Sequence, residues 1–379
     1  MNLSYFEPLN IAFKTICGIS AVFMVGFWIF NYHKNDDVSV IQYVPFDTKT
    51  DITFPELSIC ISMPFIYDNL LWNSSIIVSA VEYNMYLNGL TAFREEYRRV
   101  NFDNVTLNLL DYVQNVIIFK RDENETTTTN ITCNGMKDCP YVKFKHNYVG
   151  TTTGPPVMYR CFGFEIDRQS FQQNDTHIDS LLVVFKPDLD KLLNKIREYD
   201  FGQIFLVFNY PGQMIKGIRT RRPIWKKAAS AETNVLFIKV NSMEILRRRN
   251  KRKEQCLVDW ASFDDMVLKK YDDTRTCSPP YRKSRKPLCT TMREISDSMY
   301  DSRKMRKRYG QEPCEEMTNI VFREKGIKTK NRYKENLKLM YVYPLSTKVV
   351  QQIKAIDFQA LIGNIGGYIG LFLGKKYYN

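Results

Sequence analysis

From Ile11 to Phe30 the chain reads IAFKTICGISAVFMVGFWIF, twenty residues with one charge, Lys14. At ~1.5 Å per residue such a helix spans ~30 Å, the hydrocarbon thickness of a bilayer. Lys14 lies near one end, where its stem lets the ammonium reach the interface. Trp28 and Tyr32 suit the opposite interface. A cleaved signal peptide would need a basic leader and small residues at a cleavage site. Residues 1–10 hold no Lys or Arg, and Phe27 to Phe30 is bulky. A soluble core helix is seldom apolar all round for so long. The pattern predicts a membrane helix over 11–31 behind a short segment, 1–10.

Between 32 and 358 the periods alternate. Apolar runs at Asn115–Phe119, Leu181–Phe185, Ile204–Phe208 and Val235–Val240 predict strands. Leu189, Leu192, Leu193 and Ile196 follow helical spacing, as do Trp260, Phe263, Val267 and Tyr271. Strands and helices intermix without βαβ regularity, which argues for an α+β domain. Thr126 to Thr132 (TTTTNIT) predicts an exposed loop.

The last apolar stretch, Ala360 to Gly374 (ALIGNIGGYIGLFLG), has five glycines and no charge. Gly366, Gly370 and Gly374 recur every four residues, and Gly363 and Gly367 form a second pair. On a helix this makes side-chain-free faces where backbones approach or a narrow path is lined. Each glycine weakens a soluble helix by ~1 kcal/mol relative to alanine. Fifteen residues reach only ~22 Å, so 359–374 reads as the start of a second membrane helix, followed by an atypical end, 375–379.

Composition narrows the chemistry. Of 379 residues, 44% are hydrophobic and 25% charged, the balance of a folded chain. Lys+Arg 54 against Asp+Glu 41 leaves +13, and there are three histidines, far apart. No HExxH, GxSxG, P-loop or CxxC occurs, so neither enzyme, metal site nor cofactor is expected. Five sequons follow the first helix, at Asn73, Asn104, Asn124, Asn130 and Asn174. Of nine cysteines, Cys17 lies within that helix and eight follow it: Cys60, Cys133, Cys139, Cys161, Cys256, Cys277, Cys289 and Cys314. Together they place 32–358 in an oxidising, glycosylating compartment and leave 1–10 cytoplasmic. The last four frame a basic, turn-rich region, 256–314, that reads as a helix followed by stapled loops.

Basic clusters stand at Arg219–Arg222, Arg247–Lys253, Arg282–Lys286 and Arg303–Arg308. The anchor and the sequons argue against nucleic acid as their partner, and a solvated face is the simplest expectation. Arg219–Arg222 and Arg249–Arg252 also fit dibasic processing by secretory proteases.

Several segments, in order, resemble the degenerin/epithelial sodium channel/acid-sensing channel superfamily. FPELSICISMPF (Phe54–Phe65) is similar to that family's FPAVTIC-N-x-x-PF motif after the first membrane helix. YRCFGFEI (Tyr159–Ile166) is similar to its CYTFN-type motif, and Cys256–Cys314 to part of its cysteine-rich thumb. GNIGGYIGLFLG (Gly363–Gly374) is similar to the D-I-G-G-x-x-G-L-F-L-G signature of its second membrane helix.

The resemblance implies a homo- or heterotrimer in the plasma membrane, each subunit multi-pass with two membrane helices and a large disulfide-rich extracellular α+β domain. It implies passive, sodium-preferring, amiloride-sensitive conduction gated by ligand, proton or force. The partners would be sodium ions, sister subunits, the lipid bilayer and an unknown extracellular ligand. It implies the pairs Cys60–Cys161 and Cys133–Cys139, leaves the other four cysteines unassigned, and puts Gly366, Gly367, Gly370 and Gly374 at the pore and filter.

The chain also departs from that family. The thumb has fewer cysteines, and no His-Gly motif precedes the first helix. Lys376 stands where a serine of the filter triplet is expected. At an effective dielectric of ~20, two such charges ~4 Å apart repel by ~4 kcal/mol. The expectation is a chain cut within its second helix, or a subunit that does not conduct alone. The alternative function is a non-conducting, membrane-anchored glycoprotein that binds ligands or modulates partner subunits.

Overall fold

The computed structural model describes residues 6–34, 36–46, 54–73, 76–121, 128–151, 157–171, 177–198, 204–211, 218–219, 235–251, 255–257, 263–282, 284–298, 311–327 and 336–373. Two sheets share one apolar core, with an apolar helix before them and a glycine-rich helix after.

The larger sheet is organised around one long strand, β12 (Val235–Arg247). Along one side it pairs antiparallel with β13 (Glu315–Ile327). Along the other it pairs parallel with β14 (Lys338–Val342) and then β15 (Ser346–Lys354), laid end to end. From β14 the sheet continues through β9 (His177–Phe185) and β5 (Val113–Arg121) to β6 (Thr128–Asn134). From β15 it continues to β1 (Asp37–Pro45), antiparallel, with Asp37 opposite Lys354 and Pro45 opposite Ser346.

The smaller sheet runs β11 (Ile218–Arg219), β10 (Ile204–Asn209), β2 (Glu56–Ile61), β8 (Val157–Ile166) and β7 (Val142–Thr151). Its middle strand, β2, is buried at every position. Phe208 joins the two sheets, its ring 4.5 Å from Phe322 and 6.0 Å from Tyr341. A hairpin of β3 (Asn69–Asn73) and β4 (Ile76–Ser79) leads into α2 (Ala80–Leu87), and α3 (Phe102–Val105) follows. Around α2, Phe65, Tyr83, Tyr86, Phe93 and Tyr97 form an aromatic cluster with ring separations of 4.9–6.1 Å.

The apolar runs expected as strands lie in β5, β9, β10 and β12, and the Leu189 periodicity lies in α4 (Pro187–Glu198). Two boundaries differ. Thr128–Asn134 is not a loop but β6, because its β-branched threonines and Ile131 complete a ladder along β5. β12 does not stop at Val240 but runs on to Arg247, since β13 and β15 supply partners on both sides.

Between β12 and β13 lies an insertion with α5 (Phe263–Asp273) and α6 (Met292–Ser298). Val267 of the expected helix is buried in α5, whereas Trp260 lies outside the described residues. Lys286 Nζ donates to the carbonyls of Asp272 and, at 2.6 Å, Arg275, so a cation closes the C-terminal end of α5. Arg282 pairs with Asp272. Tyr86 Oη donates to Cys289 O at 2.8 Å and ties the insertion to α2. Gly89, at φ +69°, lies close under α6: a Cβ there would be 3.1 Å from Met292 O.

Four disulfides hold the domain. Cys60 pairs with Cys161 across β2 and β8, and Cys133 with Cys139 around the turn after β6. In the insertion, Cys256 pairs with Cys314 and Cys277 with Cys289. Cys17 is a free thiol.

Candidate functional site

The first helix, α1 (Phe6–Lys34), is longer at both ends than its apolar stretch. Its segment Ile11–Lys34 is long and apolar enough to cross a membrane. Ile16, Ile19, Val22, Phe23 and Phe30 are all more than 60% exposed, which a soluble core helix would not leave uncovered. One stripe is less exposed: Cys17, Ala21, Met24, Val25, Trp28 and Tyr32 recur at helical spacing. This stripe meets the last helix, α7 (Phe358–Leu373), which packs beside α1.

α7 turns one stripe of side chains toward α1. Leu361 is buried there, and Asn364, Ile365 and Tyr368 are half-buried. Gly363, Gly366, Gly367 and Gly370 are exposed, and a Cβ built on any of them has no atom within 4 Å. These four glycines therefore face away from α1, so the side-chain-free surface they form is not what joins the two helices.

A compact junction fixes where the helices leave the sheet. α1 ends at Lys34 and β1 starts at Asp37; β15 ends at Lys354 and α7 starts at Phe358. Antiparallel pairing of β1 with β15 thus forces the two helices out side by side. Ala355 N donates to Asp36 O at 2.9 Å, and the Lys354 ammonium sits 3.0 Å from the centre of the Tyr32 ring. Asp357 caps α7, accepting from Ala360 N through Oδ1 at 2.6 Å and from Leu361 N through its carbonyl at 3.0 Å.

The basic run after β12 completes the junction. Arg249 Nε and Nη2 both lie 2.8 Å from Asp37 Oδ1, and Lys251 Nζ lies 2.7 Å from Oδ2. Partial burial works against the ionised Asp37. The hydrogen bond from Lys251 and the two cationic charges outweigh it and hold the carboxyl below the usual carboxylate range. Arg248 pairs with Glu316 and donates to Pro313 O at 2.9 Å, while Arg247 meets Glu315 at 2.8 Å. Described members of this cluster are therefore not a solvated face. Their positive charge is spent on closing the base of the insertion and on gripping the start of β1. The same pairing speaks against the Arg249–Arg252 segment being presented to a protease, although Arg252 itself lies outside the described residues.

The other sequence candidates fall as follows. Asn104 and Asn130 are exposed, in α3 and β6, and Asn73 ends β3. Asn124, Asn174, Gly374, Lys375, Lys376 and the stretches 220–222 and 303–308 lie outside the described residues. Among the described residues no three His, Cys, Asp or Glu side chains gather where they could hold a metal ion.

Sequence reasoning passed over Asp37 and Glu56. Glu56 opens β2, buried to 2% exposure. Its Oε1 accepts from Ser58 Oγ at 2.7 Å and Asn209 Nδ2 at 3.2 Å. Burial raises its pKa, against those hydrogen bonds and the Lys145 charge. The available signal was an acid at the head of an apolar strand run, at a position where the resembled motif carries alanine.

No protein-family model matches the chain, and no curated protein matches it. Among solved structures, a cryo-EM structure of a proton-activated chloride channel aligns over 98% of this chain and 94% of its own. The TM-score is 0.27 and the identity 8%, a likeness too slight to assign a family or an activity.

Proposed function

We propose that this chain is a subunit of a sodium-preferring, amiloride-sensitive cation channel of the plasma membrane, assembled from three sister subunits. In this reading α1 crosses the bilayer, α7 begins a second crossing, and the domain between them is extracellular. One observation carries the reading: the glycine face of α7 is turned away from α1 and uncovered within the chain. In an assembly of such chains that face is free to line an axis. Small residues there let backbone carbonyls and helix backbones approach a partly dehydrated cation.

The junction supplies the means of gating. β1 and β15 carry the two helices, so a change in the sheet is transmitted to both. The Asp37 clasp adds the insertion to the same lever.

Voltage clamp of cells expressing the full natural chain, alone and with candidate sister subunits, tests this. An inward current that requires sodium, is blocked by amiloride and is abolished by Gly370→Trp at unchanged surface level is expected. Surface expression with no current in any combination would sink the reading and leave the non-conducting glycoprotein.

A further inference from the structure

A cavity of about 180 Å³ opens where the β14–β15 turn, the end of β5, the start of β9 and the chain after β1 meet. Its walls are apolar: Phe46, Ile178 and Tyr343 are each at most 5% exposed, with the Phe46 and Tyr343 rings stacked at 5.3 Å. Its lining also includes an ion pair, Arg121 Nη2 to Asp179 Oδ1 at 2.6 Å. These two side chains stay 35% and 28% exposed, and among the described residues this is the one side-chain bond each makes. A guanidinium has five N–H donors and a carboxylate can accept several bonds, so both retain capacity for a ligand.

We infer that this cavity binds a small zwitterionic α-amino acid with a single-ring or branched apolar side chain. A hollow of ~150 Å³ accepts benzene, so this one takes one ring and little more. The ligand's carboxylate bonds Arg121 and its ammonium bonds Asp179, each a charge-assisted contact beside an apolar wall. A purely apolar guest would leave the spare donors of Arg121 and the spare acceptors of Asp179 unused, and a singly charged one would engage only one of the two. Larger ligands exceed the volume.

The position gives such a ligand leverage. Phe46 follows β1, and Tyr343 begins the turn into β15, with Phe46 N donating to Leu345 O at 3.0 Å. A guest in the cavity touches Phe46, directly after β1, and Leu345, directly before β15, the two strands that carry the helices. On the channel reading, this ligand is the extracellular signal.

Saturation-transfer NMR on the full chain in nanodiscs, with L-phenylalanine as probe, tests the site by binding rather than by current. Saturable binding is expected. Phenylalaninamide and N-acetylphenylalanine, which each lack one charge, should bind at least about tenfold more weakly. Arg121→Gln and Asp179→Asn should each cost a similar factor, and Ile178→Phe should fill the cavity and abolish binding. Exchanging the pair, Arg121→Asp with Asp179→Arg, should restore part of the affinity. No saturable binding up to about 10 mM, or equal binding of all three probes, overturns the inference. Either result leaves the pore reading to stand or fall on its own currents.

Discussion

Arg249 holds Asp37 with two nitrogens, Nε and Nη2, each 2.8 Å from Oδ1, across 212 positions of sequence. Because Asp37 is also the residue opposite Lys354 in the β1–β15 ladder, one carboxylate joins the base of the insertion to the exits of both helices. Its lowered pKa means the ionised form is favoured by folding. That contribution is complete above the unfolded carboxylate range and is lost as pH falls through the depressed folded value. Asp37→Asn should therefore flatten the acid limb of a stability profile taken between about pH 6 and about pH 2. At neutral pH the loss should be about 1 kcal/mol or less, since the pair is partly wet. Asp37→Arg should be worse, and adding Arg249→Asp should recover part of the deficit. An unchanged acid limb in Asp37→Asn would show that the clasp contributes nothing.

Glu56 predicts the opposite pH response. Burial raises its pKa, so folding favours the protonated form. The contribution is present below the unfolded carboxylate range and is lost as pH rises through the raised folded value. Glu56→Gln keeps the shape and removes the titration. It should melt higher than the parent at pH values above that folded pKa and lose the advantage in acid. The seat itself needs Gly163, because a Cβ there would lie 2.2 Å from Glu56 Oε1. Gly163→Ala should push the carboxyl off Ser58 and Asn209 and cost about 1–3 kcal/mol. The cost should shrink when position 56 is alanine. Melting curves of the four combinations measure the coupling, and additive losses would remove the steric explanation.

These two carboxylates mark where the chain's own text runs out. The long apolar helix α1 is legible because twenty apolar residues have few alternative uses, and the β5, β9 and β10 strands because short apolar runs bury themselves. β6 was hidden because TTTTNIT is polar by composition while its β-branched backbone preference favours a ladder once β5 offers one. The run RRRNKRK reads the same whether water or carboxylates surround it. Its partner Asp37 is brought close only by the register of β1 on β15 and by the length of β12. The glycine spacing of α7 was plain, yet which neighbour it faces depends on Leu361, Ile365 and Tyr368 occupying the α1 side.

Four cysteines admit three pairings, and the fold selects one of them. Cys256 and Cys314 sit where the strands enter and leave the insertion, with Leu257 N donating to Glu312 O and Cys314 N to Leu257 O, both at 2.9 Å. Cys277 and Cys289 close a turn in which Ser278 N donates to Pro287 O at 2.9 Å. Non-reducing peptide mapping should recover these two pairs and neither alternative. Replacing both Cys256 and Cys314 by serine should cost about 2–4 kcal/mol. Because the loop it closes spans 58 residues rather than 12, that loss should exceed the loss at Cys277–Cys289 by about 1 kcal/mol. Chemical denaturation of the two double variants checks the order.

The uncovered face of α7 makes the most direct test of assembly. Within one chain, a Cβ on Gly366 or Gly370 meets no atom within 4 Å, so alanine there should strengthen the helix by up to ~1 kcal/mol per site. If copies of α7 approach along that face, bulk is harmful for a reason one chain does not contain, and leucine should break up the oligomer where alanine does not. Cysteine separates the two faces. In a Cys17→Ala background, Gly366→Cys and Gly370→Cys should give oxidant-dependent bands of two chains on non-reducing gels from native membranes. Ile365→Cys, turned toward α1, should not. Crosslinking at 365 with none at 366 or 370 would mean that the copies meet on the wrong side of the helix for its glycines to surround an axis.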